Sequence, residues 1–468
     1  MENVIKKSLA LALAAIMLFS LVSCANTSVS DGTETTAGAD ISETSDPEQT
    51  EPTADETTIA EETTESPDPV PTPVSPADIP AFPGGMKRTD YDCGDGVYAK
   101  IITGVFASEY RAYLEELKTL GYTQVSAREQ GENCFYTFSY EDTALIASYF
   151  KVDNIARLTI LPYNPYETYS DIYGVTNAEV GTVEPLITMV NTGNNGEDTG
   201  MSYIIRTPQG SFIIIDGGWA GVGEGKKIMK LLEEQNTNEG LPVVAAWILT
   251  HPHSDHIGAI SDIATQHYDD IVLERVIFNY MNDELLAISD SNKLLSNSSS
   301  PLNILRRALK TKNKWDYTQI IKPHTGDILY IDGVTVDILQ THEDVATSIS
   351  ALENNNSASM AFKVSVEDKS ALFLGDLSAK YMLSIASRYG THLKSDILQP
   401  THHGRTHGKI EVYSLVLPDV VLWDCAISSY NEYKNQDYNQ YLINNFKRHY
   451  ISENGTITLS FKTLEEIK

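Results

Sequence analysis

The stretch Thr250-His251-Pro252-His253-Ser254-Asp255-His256-Ile257-Gly258-Ala259-Ile260 decides the reading of this 468-residue chain. Four potential metal ligands fall within six residues. The run before it, Val243-Val244-Ala245-Ala246-Trp247-Ile248-Leu249, is apolar and β-rich and reads as a buried strand. The run after it, from Ile257 to about residue 267, reads as a helix. The ligands therefore stand where a strand ends and a helix begins, the sheet edge at which open α/β folds hold their ligands. Alternate side chains of an extended segment point the same way, so His251 and His253 can grip one metal. Asp255 and His256 lie beyond the turn and can face a second. Two metals about 3.5–4 Å apart can share a water and lower its pKa. The bland alternative is a polar loop with surface histidines. It requires three histidines and an aspartate to fall together by chance directly after a buried strand.

His251-x-His253-x-Asp255-His256 resembles the HxHxDH signature of the metallo-β-lactamase superfamily. Further pieces stand in that family's order. Ile213-Ile214-Ile215-Asp216-Gly217-Gly218 resembles its upstream strand-end Asp-Gly-Gly, and Ala371-Leu372-Phe373-Leu374-Gly375-Asp376 resembles the Gly-Asp that supplies a bridging carboxylate. Gln399-Pro400-Thr401-His402-His403-Gly404 and Asn356-Ser357-Ala358-Ser359 resemble the His-His-Gly and Asn-x-x-Ser of the ComEC-type branch. The resemblance spans residues 186–425. It implies an αβ/βα sandwich with metals at one edge and a metal-dependent hydrolase.

The roles follow residue by residue from that resemblance. His251 and His253 hold the first metal, and Asp255 and His256 the second. Asp376 bridges both; its alternative is an N-cap for the helix beyond it. His403, or alternatively His402, completes the ligand set of the second metal, and the other histidine orients substrate or acts as an acid. Asp216 supports the site from behind, and Asn356 and Ser359 touch substrate or hold their loop. One departure stands out. Many superfamily members place a third histidine on the first metal just before the Gly-Asp strand, and here only His342 lies between Leu339 and Asp376. It is a candidate ligand, with a plain loop histidine as the alternative. Gly258-Ala259 also stands where Gly-Gly is usual, which needs slightly more room.

The start of the chain has another character. Lys6 and Lys7 precede an apolar core from Leu9 to Val22, too short for a typical spanning helix. Leu21-Val22-Ser23-Cys24 resembles a bacterial lipobox. Residues 1–23 thus read as a lipoprotein signal peptide and Cys24 as the lipidated residue, tethering an exported protein to the outer face of the cell membrane. Residues 24–80 form a linker; positions 25–80 hold 14 Asp or Glu and no Lys or Arg. Such a composition cannot build a core, so disorder is expected. Of the chain's 34 basic and 64 acidic residues, 2 and 15 lie in residues 1–80, leaving 32 and 49, or −17, for the rest. That part reads as having no run of Lys or Arg to track a phosphate backbone, so tight non-specific binding of long nucleic acid is not expected, and a small local basic patch is left open. Cys93, Cys134 and Cys425 form no CxxC pair; Cys93 and Cys134 either bridge or stay as buried thiols.

Residues 81–165 read as a small α+β domain. One helix after Ser108, with Tyr110, Tyr113, Leu114 and Leu117 at helical spacing, stands among several strand-like runs. This pattern suits a helix on an antiparallel sheet. Residues 166–185 connect it to a hydrolase domain over 186–468, in which strands and helices alternate twice over.

The function expected is an exported, lipid-anchored hydrolase with two divalent metal ions, zinc or manganese, both compatible with mixed N/O ligands. The resemblance points to a phosphodiesterase in which a metal-bridged hydroxide attacks phosphorus, with Asp255, His403 and Asn356 in the catalytic set. Its substrate would be a phosphodiester or another small molecule outside the cytoplasm. Two alternatives remain: a lactamase- or lactonase-like hydrolase, and a surface binding protein on this scaffold without turnover.

Overall fold

Strands of isoleucine and valine, buried on both faces, build the centre of the molecule. Phe212-Ile213-Ile214-Ile215 shows how: Ile213 and Ile215 enter one apolar core while Phe212 and Ile214 enter another. This is the two-residue period of a strand covered on both sides. The structure, a computed structural model, describes residues 71–130, 132–174, 181–193, 199–289, 294–345 and 355–467. The signal segment, Cys24 and the linker up to residue 70 lie outside the described residues.

A front sheet holds β1 (Lys87–Gly94), β2 (Val97–Thr103), β3 (Thr123–Gln130), β4 (Asn133–Tyr140), β5 (Thr143–Phe150) and β6 (Ile155–Leu161). Its order is β1-β2-β6-β5-β4-β3 and every pairing is antiparallel. The helix Ala107–Thr119 buries Tyr110, Tyr113, Leu114 and Leu117 against one face. The apolar stripe expected from sequence is therefore core.

Two further sheets form the sandwich. The first contains β7 (Leu186–Met189), β8 (Ser202–Arg206), β9 (Phe212–Asp216), β10 (Val243–Ile248), β11 (Val272–Leu273), β12 (Arg275–Ile277) and β13 (Gln319–Ile321). The second contains β14 (Ile328–Ile331), β15 (Val334–Gln340), β16 (Ala361–Val366), β17 (Lys369–Phe373), β18 (Ile397–Leu398), β19 (Val420–Trp423) and β20 (Arg448–Ile451). The last strand, β21 (Ile457–Ser460), returns to the first sheet beside β7. The orders are β13-β12-β10-β9-β8-β7-β21, with β11 also on β10, and β14-β15-β16-β17-β18-β19-β20. Ile213, Ile215, Ile248 and Ile277 of one sheet share a core with Val336, Ile338, Phe362 and Phe373 of the other. Helices Glu224–Gln235, Ser254–Gln266 and Ala379–Tyr389 bury their apolar faces in a second core outside the sheets. This is the expected αβ/βα sandwich. No helix among the described residues is long and apolar enough to cross a membrane.

Some details depart from the sequence reading. The sequence places residues 71–80 in the linker, yet Ile79 is buried in the front core beside Phe82. Ser75 also caps a short helical turn, Pro76–Asp78. Apolar Ile79 and Phe82 have a core to enter, and the acidic composition upstream does not reach that far. Cys93 and Cys134 are free thiols and form no bridge.

The front sheet and the sandwich belong to one compact unit, and the seam between them is charged. Arg157 on β6 donates to Asp344 Oδ1 at 2.9 Å and lies 3.7 Å from Glu343 Oε2, and all three side chains are at least 97 % buried. Arg388 donates to the same Asp344 oxygen at 2.8 Å and to Asp153 at 2.6 Å. Both guanidinium groups lie over the ring of Phe150, at 5.5 and 4.0 Å.

Candidate metal centre

Three apolar strands end in a carboxylate at the same edge: β9 in Asp216, β17 in Asp376 beyond Leu374-Gly375, and β19 in Asp424. β10 ends beside them and delivers Thr250 and His251. The helix after β10 begins at Ser254, three residues earlier than the sequence suggests, with His253 as its extended N-cap. Asp255 and His256 therefore sit in its first turn, where a carboxylate complements the positive end of the helix dipole.

That turn needs two glycines. Gly258 donates its N–H to Gly218 O at 2.7 Å, and a Cβ at 258 would fall 2.1 Å from the Ala220 nitrogen. Ala259, standing where a second glycine is usual, finds its room at Gly217: a Cβ added there would meet the Ala259 methyl at 2.9 Å.

The side chains converge. His251 Nε2 lies 3.0 Å from His253 Nδ1 and 3.9 Å from Asp376 Oδ2. His256 Nε2 lies 3.4 Å from Asp376 Oδ1 and 4.0 Å from Asp255 Oδ2. His403 Nε2 lies 3.4 Å from Asp255 Oδ2 and 3.7 Å from Asp376 Oδ2. Two triplets, His251/His256/Asp376 and Asp255/His256/His403, each hold ligand atoms mutually within 4.8 Å. Tetrahedral N/O ligands with bonds near 2.0–2.1 Å stand about 3.3 Å apart, so these spacings suit a cation. The decisive observation is chemical: His256 Nε2, His403 Nε2 and Asp376 Oδ1 are buried and find no hydrogen-bond partner among the described residues. Buried polar atoms seldom go unpaired, and a divalent cation fits this donor set.

Supporting contacts fix the ring orientations. Asp216, at φ 51°, accepts from Thr250 N at 2.8 Å, from Thr250 Oγ1 at 2.7 Å and from His256 Nδ1 at 2.7 Å. His403 Nδ1 donates to the Asp424 carbonyl at 2.9 Å. Such outer partners set tautomer and aim. Burial drags His403 down, but Asp376, Asp255 and Asp424 outweigh it and push it up to about 10. Burial lifts Asp424 to about 7 against the pull of His403. Burial also opposes ionisation of Asp255 and Asp376, yet the surrounding histidines hold both below the usual carboxylate range.

The two adjacent histidines separate because both adopt left-handed backbone, at φ 51° and 57°. His403 faces inward. His402 stands at the rim, its side chain 20 % exposed, with Nε2 3.7 Å from Asp376 and 3.4 Å from Asn356 Nδ2. Burial lowers His402 to about 4. Ser359 faces the loop, where its hydroxyl accepts the Asp376 N–H at 3.2 Å. Asp376 is no N-cap, because the helix beyond starts at Ala379 with Ser378 in that position.

His342 is not part of this cluster. Its Nδ1 meets the Tyr91 hydroxyl at 2.9 Å and its Nε2 meets Asn279 Oδ1 at 3.0 Å, so both nitrogens are engaged at the seam. Sequence reasoning missed Asp424, Thr250 and the Thr406 hydroxyl, which pairs with His402 Nδ1 at 2.6 Å. Asp424 had a signal, since it ends the apolar run Val420–Trp423 as Asp216 and Asp376 end theirs.

Residues 195–406 match the family model of the metallo-beta-lactamase superfamily. The chain carries a metallo-beta-lactamase superfamily domain. Among solved structures it is similar to the metallo-beta-lactamase fold protein YhfI from Bacillus subtilis, at 11 % identity and TM-score 0.33 over 57 % of this chain and 96 % of that one. It is also similar to CmlA, a diiron beta-hydroxylase from Streptomyces venezuelae, at 12 % identity and TM-score 0.35 over 76 % and 78 %. Human tRNase Z, short form, aligns at 12 % identity and TM-score 0.29 over 51 % and 90 %. No curated protein matches the chain. Beyond the matched residues, Asp424→Ala, which keeps the backbone carbonyl that receives His403, is expected to weaken metal affinity by about 10-fold. Titration with a chelating dye checks this.

Proposed function

We propose that the chain is an exported, lipid-anchored hydrolase that uses two divalent metal ions, zinc or manganese, to cleave phosphodiesters. The observation that carries the reading is the set of buried imidazole and carboxylate atoms converging without partners at one sheet edge, with His402 and Asn356 at its rim. His251 and His253 would hold one ion, Asp255, His256 and His403 the other, and Asp376 both. When bound, the ions supply Lewis acidity, polarising the bond under attack and activating water.

The chain's own groups do the rest. Asp216 and the Asp424 carbonyl hold His256 and His403 in fixed orientations through their Nδ1 atoms. Asn356 Nδ2, which lies 3.4 Å from His402 Nε2, would donate to a substrate oxygen. Fixed donors at the place where negative charge develops are worth more than mobile water. The phosphodiester preference draws on the Asn356-Ser357-Ala358-Ser359 and His402-His403-Gly404 resemblance, and export and anchoring draw on Lys6, Lys7, the apolar core and Cys24.

The test measures metal per chain and turnover of bis(p-nitrophenyl) phosphate with added zinc or manganese, with and without chelator. About two metals and chelator-sensitive turnover are expected. Metal with turnover of lactams or lactones alone would replace phosphodiesters with those substrates. No metal and no turnover would leave a binding protein. Labelling with radioactive palmitate, lost in Cys24→Ser, checks the anchor.

A further inference from the structure

Residues 306–314, Arg306-Arg307-Ala308-Leu309-Lys310-Thr311-Lys312-Asn313-Lys314, hold five cations and no acid in a chain of net charge −30. Averaging charge over the folded part hides this segment, against which the expectation of no phosphate-tracking run must be set. The helix Pro301–Ala308 leads into it. That helix buries Leu302, Leu305 and Ala308 and packs on the helix Ser254–Gln266 that carries Asp255 and His256. The apolar spacing commits one side to the core and leaves Arg307, Lys310 and Lys312 exposed.

Two cavities meet at this strip. Arg306, Arg307 and Lys310 line a groove of about 500 Å³ with Asn303 and Ser298. A cleft of about 560 Å³ shares Arg306 and Lys310, and its other wall is aromatic, with Tyr163, Phe278 and Tyr280 beside Lys322. Lys322 pairs with Asp95 and stands 5.7 Å over the Phe278 ring. Arg306 pairs with Asp283 at 2.8 Å. Lys310 and Lys312 have no acidic partner among the described residues. The cleft walls are tied together, because Asn282 Nδ2 donates to the Asp92 carbonyl across the seam at 2.9 Å.

Two residues of the cleft wall, Phe278 and Lys322, follow strands of the sheet whose edge carries the metal centre. β10, β12 and β13 are parallel, with Ile248, Ile277 and Ile321 in register. At about 4.8 Å per strand, Phe278 and Lys322 lie roughly 5–10 Å along that edge from the end of β10.

We propose that the Arg306–Lys314 strip and the adjoining aromatic cleft bind single-stranded nucleic acid, with phosphates on the strip and a base in the cleft. Cations that track a backbone beside ring faces that take bases form the general design for single strands. A polyanion without rings would use the groove alone, and a duplex keeps its bases stacked away from the cleft. As a route for substrate to the metal edge this rests on the phosphodiesterase reading; as a binding site it does not.

The test is fluorescence anisotropy of a labelled oligo-deoxythymidine strand with the full chain in chelator, so that cleavage plays no part. Saturable binding is expected at low salt. The exposed triple variant Arg307→Glu/Lys310→Glu/Lys312→Glu, with an unchanged melting temperature, should bind at least about tenfold more weakly. The slope of log affinity against log salt should fall by about 2, the loss of three single-strand phosphate contacts. An abasic strand of equal length should compete poorly. Undiminished binding by the variant overturns the strip, equal competition by the abasic strand overturns the base site, and no saturable binding overturns both. Binding with no phosphodiester turnover would separate this site from the enzymatic reading.

Discussion

Replacing His256 by alanine is expected to cut the proposed turnover sharply and to lower the metal content from the proposed two ions per chain to one or fewer. His256 is the one residue common to both triplets of ligand atoms. Its Nε2 faces Asp376 at 3.4 Å while its Nδ1 is fixed on Asp216. Metal-centred charge stabilisation is worth several kcal/mol of barrier, and at 1.36 kcal/mol per decade the rate falls by about 10³-fold or more. Elemental analysis and bis(p-nitrophenyl) phosphate turnover on the same sample check it, with a melting curve to show that the variant folds. A folded variant that keeps two metals and full rate would remove His256 from the centre.

Arg157→Ala is expected to cost about 3–5 kcal/mol of stability, the usual penalty for leaving a buried charge without its partner. Arg157 is the front sheet's contribution to a buried cluster with Glu343 and Asp344. Burial resists ionisation of Glu343, but His324 and Arg157 outweigh it and hold the carboxyl far below its ordinary range. Removing the guanidinium takes one cation from each of two buried carboxylates, leaving Glu343 with His324 and Asp344 with Arg388. The melting temperature should drop by roughly 4–6 °C. Arg157→Lys should be intermediate, since an ammonium lacks the planar fork that reaches both acids. Calorimetry of the three proteins at one pH and salt concentration decides. An unchanged melting temperature in Arg157→Ala would show that the seam does not depend on this cluster.

Sequence carried the sandwich a long way because its strands are short, wholly apolar and punctuated. Val243–Leu249 before the histidines and Ala371–Leu374 before Gly375-Asp376 can hardly be read as anything but buried strands. Side-chain period and strand ends then bring the ligand candidates to one edge. Asp424 has in sequence only its place at the end of an apolar run; its role depends on β18 and β19 lying side by side, which sets its backbone carbonyl against His403 Nδ1. The cationic segment 306–314 escaped notice because whole-domain charge averages over it.

What the sequence determined by itself is local. It holds the HxHxDH run at a strand end, the apolar period of each strand, the glycines at 217, 218 and 258 that let the first helical turn lie against the strand-end loop, and the acidic leader with its candidate lipid site. What only the tertiary structure decided is every choice between chemically equal groups. His403 rather than His402 faces inward, because two successive left-handed residues turn their side chains apart. His342 is taken by Tyr91 and Asn279, because the front sheet reaches it. Asp376 lies amid four histidines instead of capping a helix, because the chain runs on to Ser378 before it coils. Each choice depends on residues distant in sequence meeting in a buried, low-dielectric space, where a polar atom's partners are set by packing and not by its neighbours along the chain.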